Sequence, residues 1–352
     1  MQTRAISQRD MTDFVRRLLD DYLVMAPMEI EPGFYKFEVV EDPQDVVLNY
    51  VTTVLPPKKA LFPPRQVLFQ FQKDGDDGKP EFEPVITRVP QVILGVHPCD
   101  LAGIAMLDWA FSRDLKDEHY LAQRRATLLI GVDCHPDEHC FCTEVGTQGA
   151  TDGFDLFLTP IEDGFLIRVG TEKGGQLLAT YAITRDATPE DIARTGQFQK
   201  EKASLISRRF DAEIYTLPLT FQNGFGSRVW EETSAACLSC GSCNLVCPTC
   251  FCFDIEDVVD ANGKSGVCQR IWDACQLSEF ARVAGGHNFR AQPHQRLRHR
   301  FYRKYQYLMM QYGMPFCTGC GRCGRSCPVD INVVDTVNAL VSEPRKEGRV
   351  HA

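Results

Sequence analysis

Two cysteine runs in the last third of the chain have the residue type and spacing of metal ligands. Each follows the pattern C-x2-C-x2-C-x3-C-P, and the cysteines are Cys237, Cys240, Cys243 and Cys247 in the first run and Cys317, Cys320, Cys323 and Cys327 in the second. Three thiolates at positions i, i+3 and i+6 of a tight loop can reach three corners of one iron–sulfur cube. In two-cluster proteins with this pattern, the fourth cysteine of each run binds the other cluster.

The two runs therefore predict two [4Fe–4S] clusters that exchange one ligand. We assign cluster A to Cys237, Cys240, Cys243 and Cys327, and cluster B to Cys317, Cys320, Cys323 and Cys247. Zinc also binds C-x2-C pairs, but it would leave the third cysteine of each run surplus. Neither run leaves an open coordination position for a substrate. We therefore expect this module to move electrons, and we predict no catalytic residue.

Four cysteines in the first half of the chain form a second candidate metal site: Cys99, Cys134, Cys140 and Cys142. Together they could hold a third [4Fe–4S] cluster or a zinc ion, and we favour the cluster because the rest of the chain is redox machinery. The alternative is that Cys99 and Cys134 are small buried hydrophobic residues, as free cysteines often are.

The last four cysteines are Cys250, Cys252, Cys268 and Cys275. A helix predicted over about 269–284 would place Cys268 and Cys275 two turns apart on about the same face. We interpret this group as lining the apolar shell of the clusters or donating weakly to their sulfides. A further metal site is the less favoured alternative.

The first part of the chain has the pattern of an α/β domain. Apolar strands are predicted over Gln91–Val96 and Thr127–Val132, with a helical pattern between them, and this order indicates a parallel βαβ unit. Cys99 and Cys134 would then lie at the same edge of the sheet. Segments 154–158 and 165–169 are predicted to form a hairpin, and 187–205 is compatible with a helix.

The distribution of cysteines predicts two domains. Residues 143–236 contain none, whereas twelve lie between 237 and 327. We place the boundary near residue 228, giving an α/β domain over 1–228 and an α-helical ferredoxin-like domain with two clusters over 229–352. Helices predicted over 269–284 and 295–312 separate the two runs, which makes the arrangement similar to the helical ferredoxin module of respiratory iron–sulfur subunits.

Composition excludes several classes of protein. The chain has 352 residues, 16 cysteines and a net charge of −9, which argues against a general nucleic-acid binder. No apolar stretch approaches the ~18 residues of a membrane span. The first 17 residues have no apolar signal region, so we expect a cytoplasmic location. In a cytoplasmic protein, many cysteines indicate metal binding or redox chemistry more readily than they indicate disulfide bonds.

One segment is strongly basic. Residues 287–316 contain no acid but six basic residues, namely Arg290, Arg296, Arg298, Arg300, Arg303 and Lys304. We interpret them as offsetting the negative charge of the clusters and as part of a docking surface for a partner. An iron–sulfur regulator that binds nucleic acid is a weaker hypothesis. The chain has neither G-x-G-x-x-G after a strand nor G-x-x-x-x-G-K-[ST], so no nucleotide site is predicted.

Several ordered motifs carry a resemblance that covers most of the chain. They include segments 61–64, 95–101, 140–142, 247–252, 272–275, 286–290 and 320–323. In these motifs the chain resembles the β subunit of cytoplasmic [NiFe] hydrogenases of the sulfhydrogenase type, to which the A subunit of anaerobic sulfite reductase is related.

The resemblance implies a role in a multisubunit oxidoreductase. The chain would relay electrons between a flavin subunit that uses NAD(P)H and a catalytic metal subunit such as a [NiFe] hydrogenase. Two alternatives stay open at this point. The chain could belong to an anaerobic sulfite or sulfur reductase, or it could itself catalyse such a reduction.

Overall fold

A computed structural model of the protein describes residues 3–73 and 78–343. The chain divides into two compact units, each assembled from three segments. The first unit comprises Met1–Asp137, Thr147–Ile206 and Phe253–Trp272, and the second comprises Glu138–Gly146, Ser207–Cys252 and Asp273–Ala352. Residue 228 lies within the second unit. The outermost residues of the two predicted domains, 1–2 and 344–352, lie outside the described residues.

The first unit contains an eight-stranded mixed sheet. Its strands are β1 (Thr3–Ile6), β2 (Leu23–Glu31), β3 (Phe34–Val39), β6 (Gln91–Val96), β7 (Thr127–Val132), β8 (Leu156–Ile161), β9 (Gly164–Val169) and β10 (Arg185–Asp186). They lie in the order β10-β1-β9-β8-β7-β6-β2-β3. The central strands β2, β6, β7 and β8 are parallel. Every residue of β6 is buried, as expected for an apolar strand that is covered on both faces.

Five α-helices belong to the first unit within its described part. They are α1 (Gln8–Leu18), α2 (Pro98–Ser112), α3 (Glu118–Arg125), α4 (Glu172–Tyr181) and α5 (Pro189–Leu205), with short 3₁₀ turns at Pro43–Asp45 and Pro57–Ala60. Helix α5 begins with a capping box between Thr188 and Asp191, which satisfies backbone donors of its first turn. The predictions of a parallel βαβ unit, of the β8–β9 hairpin and of a mixed α/β fold are confirmed.

A second sheet in the first unit corrects one prediction. Its four strands, in the order β11-β12-β4-β5, are β4 (Arg65–Lys73), β5 (Pro80–Pro84), β11 (Phe253–Val259) and β12 (Ser265–Trp272). The helix predicted over 269–284 is therefore wrong. Residues up to Trp272 pair with β4 and β11, and these pairings outweigh the local helical pattern.

The described elements of the second unit are all helical. They are α6 (Leu217–Asn223), α7 (Val229–Ser234), α8 (Ser242–Leu245), α9 (Pro293–Tyr302), α10 (Leu308–Tyr312), α11 (Arg322–Arg325) and α12 (Val333–Ser342), with a 3₁₀ turn at Ile214–Thr216. The helix predicted over 295–312 is confirmed, but a π-helical turn, Arg303–Tyr307, connects α9 to α10. Trp230, Phe221, Tyr302 and Tyr305 pack in the core of this unit.

Candidate metal centres

The two cysteine runs adopt the same backbone conformation. Ser239 and Gly319, at the third position of each run, have φ of 53° and 60°. Gly241 and Gly321, at the fifth position, have φ of 77° and 72° and immediately precede the one-turn helices α8 and α11. Left-handed conformations at both positions curl each loop tightly, and glycine adopts them without strain. The sequence repeat is therefore also a structural repeat within the second unit.

The first cavity of the second unit is lined by the cysteines predicted to bind cluster A. It is bordered by Cys237, Cys240, Cys243 and Cys327, together with Cys323. Cys327 thus lies beside the first run, although it belongs to the second. This is the juxtaposition that a crossed ligand set requires.

The second cavity is lined by the cysteines predicted to bind cluster B. It is bordered by Cys247, Cys317, Cys320 and Cys323. Cys323 borders both cavities. Among the described residues, no group of three or more His, Cys, Asp or Glu side chains is positioned to hold a metal ion. The structure therefore provides thiol-lined cavities of suitable chemistry, and the individual ligand assignments stay predictions.

Burial controls the protonation of these thiols. Burial raises the pKa of Cys243 to about 11, and burial together with the neighbouring thiols Cys247 and Cys323 raises the pKa of Cys317 to about 12. Cys240 is exposed, and hydrogen bonds from Ser242 lower its pKa. Since metals bind the thiolate, ligation at Cys243 and Cys317 must displace a proton.

Two buried cations face the cavities. Arg300 borders both cavities, and Lys304 borders the second. Each of the two residues is 5% exposed. Burial alone would lower the pKa of Arg300, but the charge that the neighbouring cysteines carry when deprotonated, first among them Cys243, raises it well above its usual range. No Asp or Glu of the described chain lines either cavity. The negative charge that balances these cations must therefore come from the cysteine sulfurs that line the cavities.

The four cysteines predicted to form a third metal site are divided between the two units. Cys99 and Cys134 belong to the first unit, where they follow the parallel neighbours β6 and β7. This placement at one sheet edge is as predicted. Burial raises the pKa of Cys134, while Lys202 acts in the opposite direction. Cys140 and Cys142 belong to the second unit. A third metal site at these four cysteines stays a prediction.

Sequence analysis missed the role of the loop that carries Cys140 and Cys142. The backbone N–H of Phe141 donates to the carbonyl of Gly319 at 2.8 Å, and Phe141 lines the second cavity. A Cβ atom on Gly321 would lie 2.7 Å from backbone atoms of His139. The signal in the sequence is the pair of glycines that flank Cys320, because they allow another chain segment to approach closely.

The remaining cysteines separate into two groups. Cys268 lies in β12 of the first unit, opposite Asp257, so the helix face that it was predicted to share with Cys275 does not exist. Cys250, Cys252 and Cys275 line a third cavity of the second unit. A hydrogen bond from Cys275 and the charges of Arg303 and Lys304 lower the pKa of Cys252 to about 6, against the effect of burial.

Comparisons with known proteins agree with this chemistry. In the described part of the chain, no helix has the length and apolar character needed to span a membrane. A family profile described as a 4Fe-4S dicluster domain matches residues 236–331, which include both cysteine runs. No solved structure matches the chain significantly. The chain is 36% identical to sulfhydrogenase 2 subunit beta of Pyrococcus furiosus over 332 residues, which cover 93% of this chain and 95% of the relative. At this identity and coverage, the chain belongs to the family of sulfhydrogenase β subunits.

Proposed function

We propose that the protein relays single electrons between a flavin subunit that uses NAD(P)H and a catalytic metal subunit of [NiFe] hydrogenase type. The observation that carries the proposal is the pair of adjoining cavities, each lined by three cysteines of one run and by cysteines of the other, two in the first cavity and one in the second. When bound, two [4Fe–4S] clusters would supply carriers that accept and release one electron each.

The residues around the cavities suit a relay better than a substrate site. Four thiols are available for each predicted cluster, so no iron is left without a cysteine. Cys323 and Arg300 border both cavities, which indicates that the two centres are close neighbours. Buried cations favour the more negative, reduced state of a cluster, because each cluster with four thiolates is an anion.

The assignment of partners rests on family membership. The similar chain from Pyrococcus is named as a β subunit of a sulfhydrogenase, and such a subunit works with others in one complex. We propose a cytoplasmic complex that contains a flavin subunit and a catalytic subunit, without nucleic acid. The set Cys99, Cys134, Cys140 and Cys142 is proposed as a third [4Fe–4S] or zinc site in addition to clusters A and B.

The test uses the intact complex purified anaerobically. Cys240→Ser and Cys320→Ser each remove one predicted ligand, from cluster A and cluster B respectively. Either change should abolish NAD(P)H-driven hydrogen evolution, whereas evolution driven by reduced viologen, which can deliver electrons directly to the catalytic subunit, should persist. Cys268→Ser is the matched control, because Cys268 is a buried cysteine of a strand in the first unit.

Two outcomes would contradict the proposal. If both variants retained NAD(P)H-driven activity, the runs would not carry the electrons. If the purified complex contained siroheme and no nickel, the chain would serve a sulfite reductase instead of a hydrogenase.

A further inference from the structure

We propose that Cys250, Cys252 and Cys275 are the ligands of a further iron–sulfur centre, held by three thiolates in the third cavity of the second unit. This cavity, which we call the basic thiol pocket, is bordered by those cysteines and by Arg300, Arg303 and Lys304. Sequence analysis favoured a passive lining role for these cysteines. The structure places them together around one space.

The three thiols are near one another and share hydrogen-bond partners. The side-chain amide of Asn244 donates from Nδ2 to Cys250 Sγ at 3.5 Å and to Cys275 Sγ at 3.3 Å. Cys252 and Cys275 are hydrogen-bonded to each other. Asn244 is 1% exposed, so its amide is held in place at the border of the pocket. A neutral N–H donor that faces two sulfurs is a common neighbour of metal-bound thiolates.

The charge around the pocket favours an anion. Three cationic side chains border it, and no Asp or Glu among the described residues does so. Arg300 and Lys304 are buried, and buried cations are strongly destabilising without a counter-charge. His299 also borders the pocket, and burial lowers its pKa to about 4, so its imidazole is neutral and adds no further charge.

Arg300, which borders this pocket, provides a second observation. Its buried Nε atom has no hydrogen-bond partner in the described structure. Arg300 is shared with the cavities of clusters A and B, whereas Arg303 borders the basic thiol pocket and neither of the other two. The charge of Arg303 is therefore directed at this pocket alone.

Three thiolates suit an iron–sulfur cluster better than the alternatives. A cluster of three irons needs three thiolates, and a cubane could bind through three with its fourth iron left for another ligand. Zinc in a structural site takes four ligands, so it would need His299 beside the three cysteines. A zinc ion with three thiolates and a neutral imidazole would carry a charge of only −1 against the three cations that border the pocket. The centre would lie next to cluster B, because Cys250 is hydrogen-bonded to Cys247.

The experiment counts iron and sulfide in the full-length chain purified anaerobically, and uses Cys252→Ala to remove one ligand. Two [4Fe–4S] clusters account for about eight irons. We expect Cys252→Ala to contain about three or four fewer irons than the unmodified chain. The unmodified chain should hold about eleven or twelve irons if the set that includes Cys99 binds zinc, and about fifteen or sixteen if it binds a [4Fe–4S] cluster. One EPR signal should be lost in Cys252→Ala, and those of clusters A and B should be retained. Cys268→Ala is the control for loss of a buried cysteine and should change neither readout.

A second variant keeps the proposal testable if Cys252→Ala does not fold. Arg303→Gln removes the cation that borders this pocket and neither cavity of clusters A and B, so one centre should shift to a lower reduction potential while clusters A and B stay unchanged. The proposal is overturned by about eight irons in the unmodified chain, by zinc that is lost in Cys252→Ala, or by a Cys252–Cys275 disulfide. It is also overturned if Cys99→Ala, and not Cys252→Ala, removes the extra irons. An iron count of about eight would leave clusters A and B, and the proposed relay, intact.

Discussion

The guanidinium of Arg300 donates a hydrogen bond from Nη2 to the main-chain carbonyl of Cys243, with 3.3 Å between the two atoms. Cys243 belongs to the first cysteine run, and Arg300 lies on α9. The bond fixes a buried positive charge where the cavities of the two predicted clusters meet. Arg300 is therefore placed to act on both clusters at once.

Replacing Arg300 should lower the reduction potentials of both clusters. A charge about 8 Å away in an effective dielectric of about 20 contributes about 2 kcal/mol, which corresponds to about 90 mV for one electron. We expect Arg300→Met to shift both potentials downward by an amount of this order in an EPR-monitored redox titration. Arg300→Lys keeps the charge and should shift them much less. A shift in one cluster alone would contradict the shared position of Arg300.

The exchange of ligands between the two runs makes a second prediction. Cys327→Ser should disturb the same cluster as Cys237→Ser, although the two positions belong to different runs. In the same way, Cys247→Ser should disturb the same cluster as Cys317→Ser. The physical reason is that Cys327 borders the first cavity and Cys247 the second. EPR spectra of the four reduced variants check this, and a pairing of Cys327 with Cys317 would contradict it.

The parts of this structure that were predictable have strong local signals. Strands β6 and β7 are short apolar runs that are almost wholly buried, and such runs predict a covered parallel sheet. The spacing of the cysteine runs indicated their chemistry in the same way. The helical patterns over 187–205 and 295–312 likewise lie where the structure has α5, α9 and α10.

The parts that failed depend on contacts between distant segments. Strand β12 pairs with β4, about two hundred residues earlier in the chain, and no local pattern encodes that pairing. The loop of Cys140 lies against Cys320, which is 180 residues away. The basic thiol pocket combines cysteines from two loops with cations from one helix. Each of these features requires the tertiary fold.

Close packing at Gly321 should make it sensitive to a single methyl group. Its φ is 72°, and a Cβ there would meet backbone atoms of His139 at 2.7 Å. We expect Gly321→Ala to lose cluster B, about four irons of the eight in two clusters. Gly313→Ala is the matched control, since Gly313 has a φ of 87° but no atom within 4 Å of its added Cβ. The control should incur only the left-handed strain of about 1–2 kcal/mol and keep its iron. Equal iron loss in both variants would mean that strain, and not the contact, matters.

A buried ion pair should stabilise the first unit. Lys202 Nζ lies 3.1 Å from Asp133 Oδ1, and both side chains are 1% exposed. Lys202→Met would leave the carboxylate of Asp133 buried, with the side chains of Thr159 and Gln199 as its donors among the described residues. We expect a loss of about 3–5 kcal/mol in the free energy of unfolding, measured by denaturant titration. The double variant Lys202→Met/Asp133→Leu should recover much of this loss, and additive losses would contradict a direct pairing.

Metal binding should strengthen as pH rises. Cys243 and Cys317 have pKa values raised by burial to about 11 and about 12, above the ordinary 9.0, so both thiols are protonated at pH 7–9 when no metal is bound. Each must lose its proton on ligation, so each adds up to about tenfold in affinity per pH unit below its pKa. We expect anaerobic reconstitution of the cluster-free chain to compete better against a chelator at pH 8.5 than at pH 7, with measurable release of protons. Affinity that did not change over this range would show that Arg300 and Lys304 already hold these sulfurs as thiolates.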